Sequence, residues 1–82
     1  MILVRFFGTL RLSIGESRLE MEAERIDQLL VKINQKYNKI GIKQLKNAVI
    51  FINNQNINKL ERFKSRLKDG DEVLFISAMG GG

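Results

Sequence analysis

A single helical stripe set between two groups of apolar strands constrains this 82-residue chain more than any other feature. In the stretch AERIDQLLVKINQKYNK, the residues Ile26, Leu29, Leu30, Ile33 and Tyr37 recur at helical spacing. That spacing places them on one side of a helix running from Ala23 to about Asn38. Glu22, Glu24 and Asp27 lie near its start, Lys36 and Lys39 near its end, as the helix dipole favours. Gly41 reads as its stop. A helix with one apolar stripe covers one face of one sheet, so an α+β domain is expected.

The strands are read from alternation. Ile2, Val4 and Phe6 alternate with Leu3, Arg5 and Phe7, and Gly8 ends the run. Gly15-Glu16 marks a hairpin turn into a second strand over Ser17–Glu22. Ala48–Ile52 is apolar and β-branched, Asn53-Asn54 suits a tight turn, and Gln55–Ile57 begins a short return strand. Asp69-Gly70 turns the chain into a last strand, Glu72–Ala78. The expected order is β-β-α-β-β-β, a mixed sheet of four or five strands with one main helix on one face. The first and last strands, the most apolar, belong at its centre.

The expected core is Ile2, Val4, Phe6, Leu19, Met21, the helical Ile26, Leu29, Leu30 and Ile33, then Val49, Phe51, Leu67, Val73 and Phe75. Both parities of the first and last strands cannot face one helix. Leu3, Phe7, Leu74 and Ile76 should therefore lie on the opposite face. They form either a partner-docking surface or a minor second core under a loop at Leu60 and Phe63. The chain reads as one domain over residues 1–78 with a glycine tail over 79–82.

Cysteine and histidine are both absent, which removes thiolate nucleophiles, imidazole catalysis and Cys/His zinc sites. No metal site and no catalytic residue is expected. Asp69, Asp71 and Glu72 cluster, but read as turn-formers rather than an active site. The opening MILVRFFGTLRL lacks the features of a signal peptide, and no apolar run approaches a membrane span. A cytoplasmic protein with no membrane partner is the expectation. The formal charge of +5 leaves an acidic protein surface or nucleic acid open as partners. With Phe63 the only aromatic in the basic run Lys59–Lys68, nucleic acid is not the expected one.

The last three residues, Gly80, Gly81 and Gly82, oppose strand extension because fixing glycine costs the most backbone entropy. A thin segment from Ala78 to Gly82 spans ~16 Å at about 3.3 Å per residue. It could thread a channel that side chains would block.

The chain resembles the ubiquitin-like β-grasp sulfur carriers and modifiers: MoaD, ThiS, the eukaryotic ubiquitin-related modifier and the small archaeal modifiers. The resemblance spans nearly the whole sequence. It rests on ILVRFFGTLRLSIG at the start, on FINN, and on LKDGDEVLFISAMGGG at the end. The segment NINKLERFKSRLKDGDEV is closer to archaeal and eukaryotic members than to short bacterial MoaD. Two departures stand out: Ser77-Ala78 replaces a usual proline pair, and Gly80 precedes the Gly81-Gly82 pair.

The resemblance implies that a ubiquitin-activating-like (E1-like) enzyme uses ATP to adenylate the Gly82 carboxylate. Conversion to a thiocarboxylate, or conjugation to protein lysines, follows. Gly81 and Gly82 would be the reacting end. Leu3, Phe7, Leu74, Ile76, Met79 and Gly80 would meet the partner. No cofactor is bound by the carrier itself, and its partners would be the E1-like enzyme and a MoaE-like sulfur acceptor, a tRNA thiolase or target lysines. With nothing after Gly82, no maturation protease is expected. The alternative is a basic β-grasp module that binds RNA or protein and has no tail chemistry.

Overall fold

The computed structural model describes residues 1–77. Five strands form one sheet in the order β2-β1-β5-β3-β4. They are β1 (Ile2–Phe7), β2 (Arg18–Met21), β3 (Val49–Ile52), β4 (Gln55–Asn56) and β5 (Glu72–Ile76). The apolar β5 lies in the middle. It runs parallel to β1 and antiparallel to β3, so the sheet is mixed. Val4, Phe6, Val73 and Phe75 are fully buried between the sheet and the helices. The rings of Phe6 and Phe75 stack with centroids 5.5 Å apart, an offset arrangement that adds to simple burial.

The main helix, α2 (Ile26–Lys36), buries the expected stripe of Ile26, Leu29, Leu30 and Ile33. It begins three residues later than the periodicity suggests because the chain before it is engaged elsewhere. The carbonyl of Glu24 accepts from Leu67 N, and Ile26 N donates to the carbonyl of Ser65. Arg25 is extended and bridges Arg66. Those backbone groups are satisfied in a β-like pairing, so helix starts only at Ile26. Tyr37, expected in the helix, is its C-terminal cap.

Two further helices depart from the expected β-β-α-β-β-β order. The first, α1 (Thr9–Ile14), occupies the stretch read as a bare connection to the hairpin turn, and it buries Leu10 and Ile14. These two lie four apart, a single pair on one helical face, too short a pattern to stand out. The other is α3 (Ile42–Lys46), which starts at Gly41 and buries Leu45. Gly41 therefore opens a helix rather than ending one. Ile40, on the connection between α2 and α3, is fully buried in the core.

The parity of β3 is the opposite of the expected one. Ile50 and Ile52 are buried, Val49 is exposed and Phe51 half-buried. Every residue from Val49 to Ile52 is apolar, so alternation could not choose a face. Pairing with β5 decides it: Ile50 opposes Phe75 and Ile52 opposes Val73. Met21 is half-buried against the core rather than within it, and Leu67 is buried as expected.

Asn53 and Asn54 both have positive φ, the signature of the tight hairpin turn joining β3 to β4. No helix among the described residues is long and apolar enough to cross a membrane.

Candidate docking face and the root of the C-terminal segment

The sheet face turned away from the helices is built by strand register. Phe7, Ile76 and Val49 stand side by side across β1, β5 and β3. Arg5, Leu74 and Phe51 form the next row, and Leu3 with Glu72 the third. Phe7 is 39% exposed, Ile76 38% and Val49 46%, a contiguous row of large apolar side chains open to solvent. Leu3, Leu74 and Phe51 are half-buried beneath and beside them. Open apolar patches edged by charge are common on surfaces that other molecules cover. Arg5 supplies one such charge. Its guanidinium lies 5.5 Å from the Phe7 ring centroid and 3.7 Å from Glu72 Oε2.

The loop at Leu60 and Phe63 does not cover this face. The turn Arg62–Lys64 packs against α2, and Phe63 joins the helix-side core. Leu60 is itself 39% exposed. The four residues Leu3, Phe7, Leu74 and Ile76 are thus brought together on one face. Val49 and Phe51, expected in the core, join them because β3 has the opposite parity.

At the end of this face the last described residue is held on several sides. Ser77 N donates to the Phe7 carbonyl at 3.1 Å. Ser77 Oγ donates to the same carbonyl at 3.2 Å and accepts from Leu10 N at 2.9 Å and Thr9 Oγ1 at 3.0 Å. The hydroxyl therefore satisfies an amide at the start of α1 that the helix itself leaves unpaired. Gly8 makes room for this contact. It has φ of 82°, and a Cβ there would stand 2.1 Å from the Ser77 carbonyl oxygen. Both conformation and space require glycine. Gly8, Thr9 and Ser77 carry only weak signals in the sequence, since their meeting joins residues nearly seventy positions apart. Met79, Gly80, Gly81 and Gly82, and the Ala78 end of the last expected strand, lie outside the described residues.

The acidic cluster lies at the other end of β5 and is structural. Asp71 is 7% exposed. Its Oδ1 accepts from Asn53 Nδ2 at 2.9 Å and its Oδ2 from Lys68 N at 2.8 Å. Asn53 Oδ1 in turn accepts from Glu72 N at 2.9 Å. The network ties the DGDE turn to the Asn53-Asn54 turn, as turn-forming carboxylates do. Asp69 is exposed and pairs with the amino group of Met1.

A mixed five-stranded sheet grasping one main helix, with an exposed apolar face, defines a ubiquitin-like β-grasp protein. The chain belongs to the ThiS family, whose model matches residues 4–82. It is thereby a member of the ubiquitin-like sulfur carriers and modifiers, which are substrates of partner enzymes rather than enzymes. Among solved structures it is similar to small archaeal modifier protein 1 from Methanosarcina acetivorans, at 26% identity and a TM-score of 0.85, covering 99% of this chain and 95% of that one. It is also similar to a chain in the complex of subunits 1 and 2 of molybdopterin-converting factor from Helicobacter pylori 26695, at 26% identity and a TM-score of 0.66, covering 99% and 97%. A third match is to the BexX/CysO complex of Amycolatopsis orientalis, at 16% identity and a TM-score of 0.79 over the full length of both chains, a likeness of fold alone. No curated protein matches the chain.

Proposed function

We propose that this protein is a cytoplasmic carrier whose Gly82 carboxylate is activated by an E1-like partner. The carboxylate, ionised at neutral pH, attacks the α-phosphorus of ATP on that enzyme, and pyrophosphate leaves. The acyl-adenylate then reacts with hydrosulfide to give a thiocarboxylate, or with a lysine amine to give an isopeptide bond, and in either case the new bond to the carbonyl carbon forms as AMP leaves. The ATP is the partner's substrate and the carrier holds no cofactor of its own. This division of labour suits a chain without cysteine or histidine, because the sulfur would sit on the main-chain terminus.

The observation that carries the reading is the Phe7–Ile76–Val49 row lying directly beside the anchored Ser77. Five residues follow Ser77, ending at Gly82, a reach of ~16 Å at about 3.3 Å per residue. A partner seated on this face would hold its reactive centre within that reach. Gly81 and Gly82 are the proposed reacting end, and Met79 and Gly80 the residues that line the path to it. Complexes among the similar structures, BexX with CysO and the two molybdopterin-converting subunits, support a partner-dependent role. A MoaE-like acceptor, a tRNA thiolase or target-protein lysines are the proposed recipients.

Intact mass spectrometry of the protein from its own cells tests this. Exchange of one C-terminal oxygen for sulfur establishes the carrier, and Gly82-linked lysines on other proteins establish the modifier. A population carrying neither, in cells limited for no nutrient, speaks against both.

A further inference from the structure

The positive charge of this protein is segregated. Residues 39–68 hold eight of the fourteen Lys and Arg and one of the nine Asp and Glu, a local +7 against −2 for the remainder. The four ion pairs among the described residues involve only Met1, Arg5 and Arg25 as cations. None of the eight is neutralised in this way.

The fold gathers part of this charge at one groove of about 260 Å³ between α3, the start of β3 and the two turns that follow β4. Lys46 Nζ, from α3, lies 5.3 Å from the Phe63 ring centroid, and Arg62 Cζ lies 5.7 Å from the same ring. The sequence alone shows only the run from Lys59 onward, because α3 has too few apolar residues to reveal itself. Asn47, Asn56 and Asn58 complete the polar lining.

We infer that this groove binds the sugar-phosphate backbone of RNA. The charge alone would fit an acidic protein equally well, and the distribution of apolar surface separates the two. Protein interfaces have an apolar, aromatic centre. Here two of the three open apolar residues, Phe7 and Ile76, lie on the sheet face outside the groove, and only Val49 borders it. Phe63, the aromatic of the groove, is packed against the core with cations over it. A polar, cationic groove rich in amide side chains matches the composition of nucleic-acid interfaces. Asn47 and Asn58 are exposed there and can both donate and accept. The groove includes Val49, which opposes Ile76 in the sheet. Bound RNA therefore lies at the end of the sheet from which the C-terminal segment departs. The inference does not depend on the tail chemistry proposed above.

Fluorescence anisotropy with a labelled single-stranded RNA of about 16 nucleotides, at about 0.15 M salt, tests it. The expected result is saturable binding that weakens as salt rises. Lys46→Glu combined with Arg62→Glu should lower affinity about tenfold or more. A milder pair, Lys46→Gln with Arg62→Gln, should flatten the slope of log affinity against log salt by about 1.4, or about 0.7 for each phosphate that is no longer neutralised. Arg11→Glu with Lys36→Glu, a pair of exposed cations outside the groove, makes the same change in net charge as the first variant and should have a much smaller effect. Thermal unfolding of each variant shows that it remains folded. Three results would overturn the inference: no binding at this salt, equal losses in the two glutamate variants, or equally tight binding of a poly-glutamate peptide, which would make the partner an acidic protein.

Discussion

The backbone carbonyl of Phe7 accepts two hydrogen bonds from Ser77, one from its amide at 3.1 Å and one from its hydroxyl at 3.2 Å. Phe7 presents its ring on the open sheet face, so the residue that would meet a partner also anchors the start of the C-terminal segment. Gly8→Ala should break this arrangement from the other side. The added methyl collides with the Ser77 carbonyl, and φ of 82° disfavours any L side chain. With ψ of −149° the backbone lies in a region essentially restricted to glycine, so the expected loss is at least about 1–3 kcal/mol of stability from conformation alone, measured by urea unfolding. Ser77→Ala should cost about 1–3 kcal/mol through the unpaired Leu10 amide. Faster amide exchange at Leu10 and Ser77, ahead of global unfolding, is the local sign. Unchanged stability in Gly8→Ala would show that the contact yields freely.

Docking should depend on the exposed row and not on the core beneath it. Ile76→Asp and Val49→Asp place a charge among side chains that are 38% and 46% exposed in the free protein. Both variants should stay folded, since the charge remains solvated, while affinity for the activating enzyme falls about tenfold or more. Calorimetric titration read beside thermal unfolding separates the two effects. If Ile76→Asp unfolds the domain, that side chain belongs to the core.

The Asn53–Asp71 network makes a prediction at the opposite end of β5. Asp71→Ala leaves Lys68 N and Asn53 Nδ2 without their acceptor. Loss of a buried acceptor of this kind costs about 1–3 kcal/mol. The expected outcome is a lower urea midpoint with partner binding retained, since the docking row lies at the far end of the strand. Loss of binding without loss of stability would reassign Asp71 to the interface.

Tyr37 gives the protein a pH dependence on the alkaline side. Desolvation, then the hydrogen bond to Glu16 and its negative charge, push the Tyr37 hydroxyl up to about 12. An unfolded tyrosine ionises near pH 10. Its contribution to stability is therefore fully present below about pH 10 and is lost as pH rises toward about 12. Tyr37→Phe should lack this part of the decline. Comparing urea midpoints of the two proteins from about pH 9 to 12 isolates it from lysine titration, which both share. Parallel curves would mean that the hydroxyl titrates normally.

The inner place of the first and last strands, the helix stripe and the turns at Asn53-Asn54 and Asp69-Gly70 are legible in the sequence because each has a local cause, apolar composition among them. Ile26, Leu29, Leu30 and Ile33 repeat at helical spacing, and adjacent asparagines adopt the φ values a tight turn requires. The short helices are not legible. In α1 only Leu10 and Ile14 face the core, and two residues do not establish a period. The face of β3 is hidden because Val49, Ile50, Phe51 and Ile52 are all apolar, and only pairing with β5 assigns them. Part of the candidate face, Leu3, Phe7, Leu74 and Ile76, follows from alternation in β1 and β5. The contact of Gly8 and Thr9 with Ser77 does not, since it joins distant segments and uses residues common in any turn.

The central proposal is that the C-terminal glycines are chemically used, and ATP–pyrophosphate exchange with the cognate activating enzyme tests it most directly. The full chain should support exchange, and Gly80→Ala should do so too. Removing Gly81 and Gly82, or adding one bulky residue after Gly82, should abolish exchange while leaving the unfolding curve unchanged. Full exchange by the chain lacking Gly81 and Gly82 would contradict the proposal.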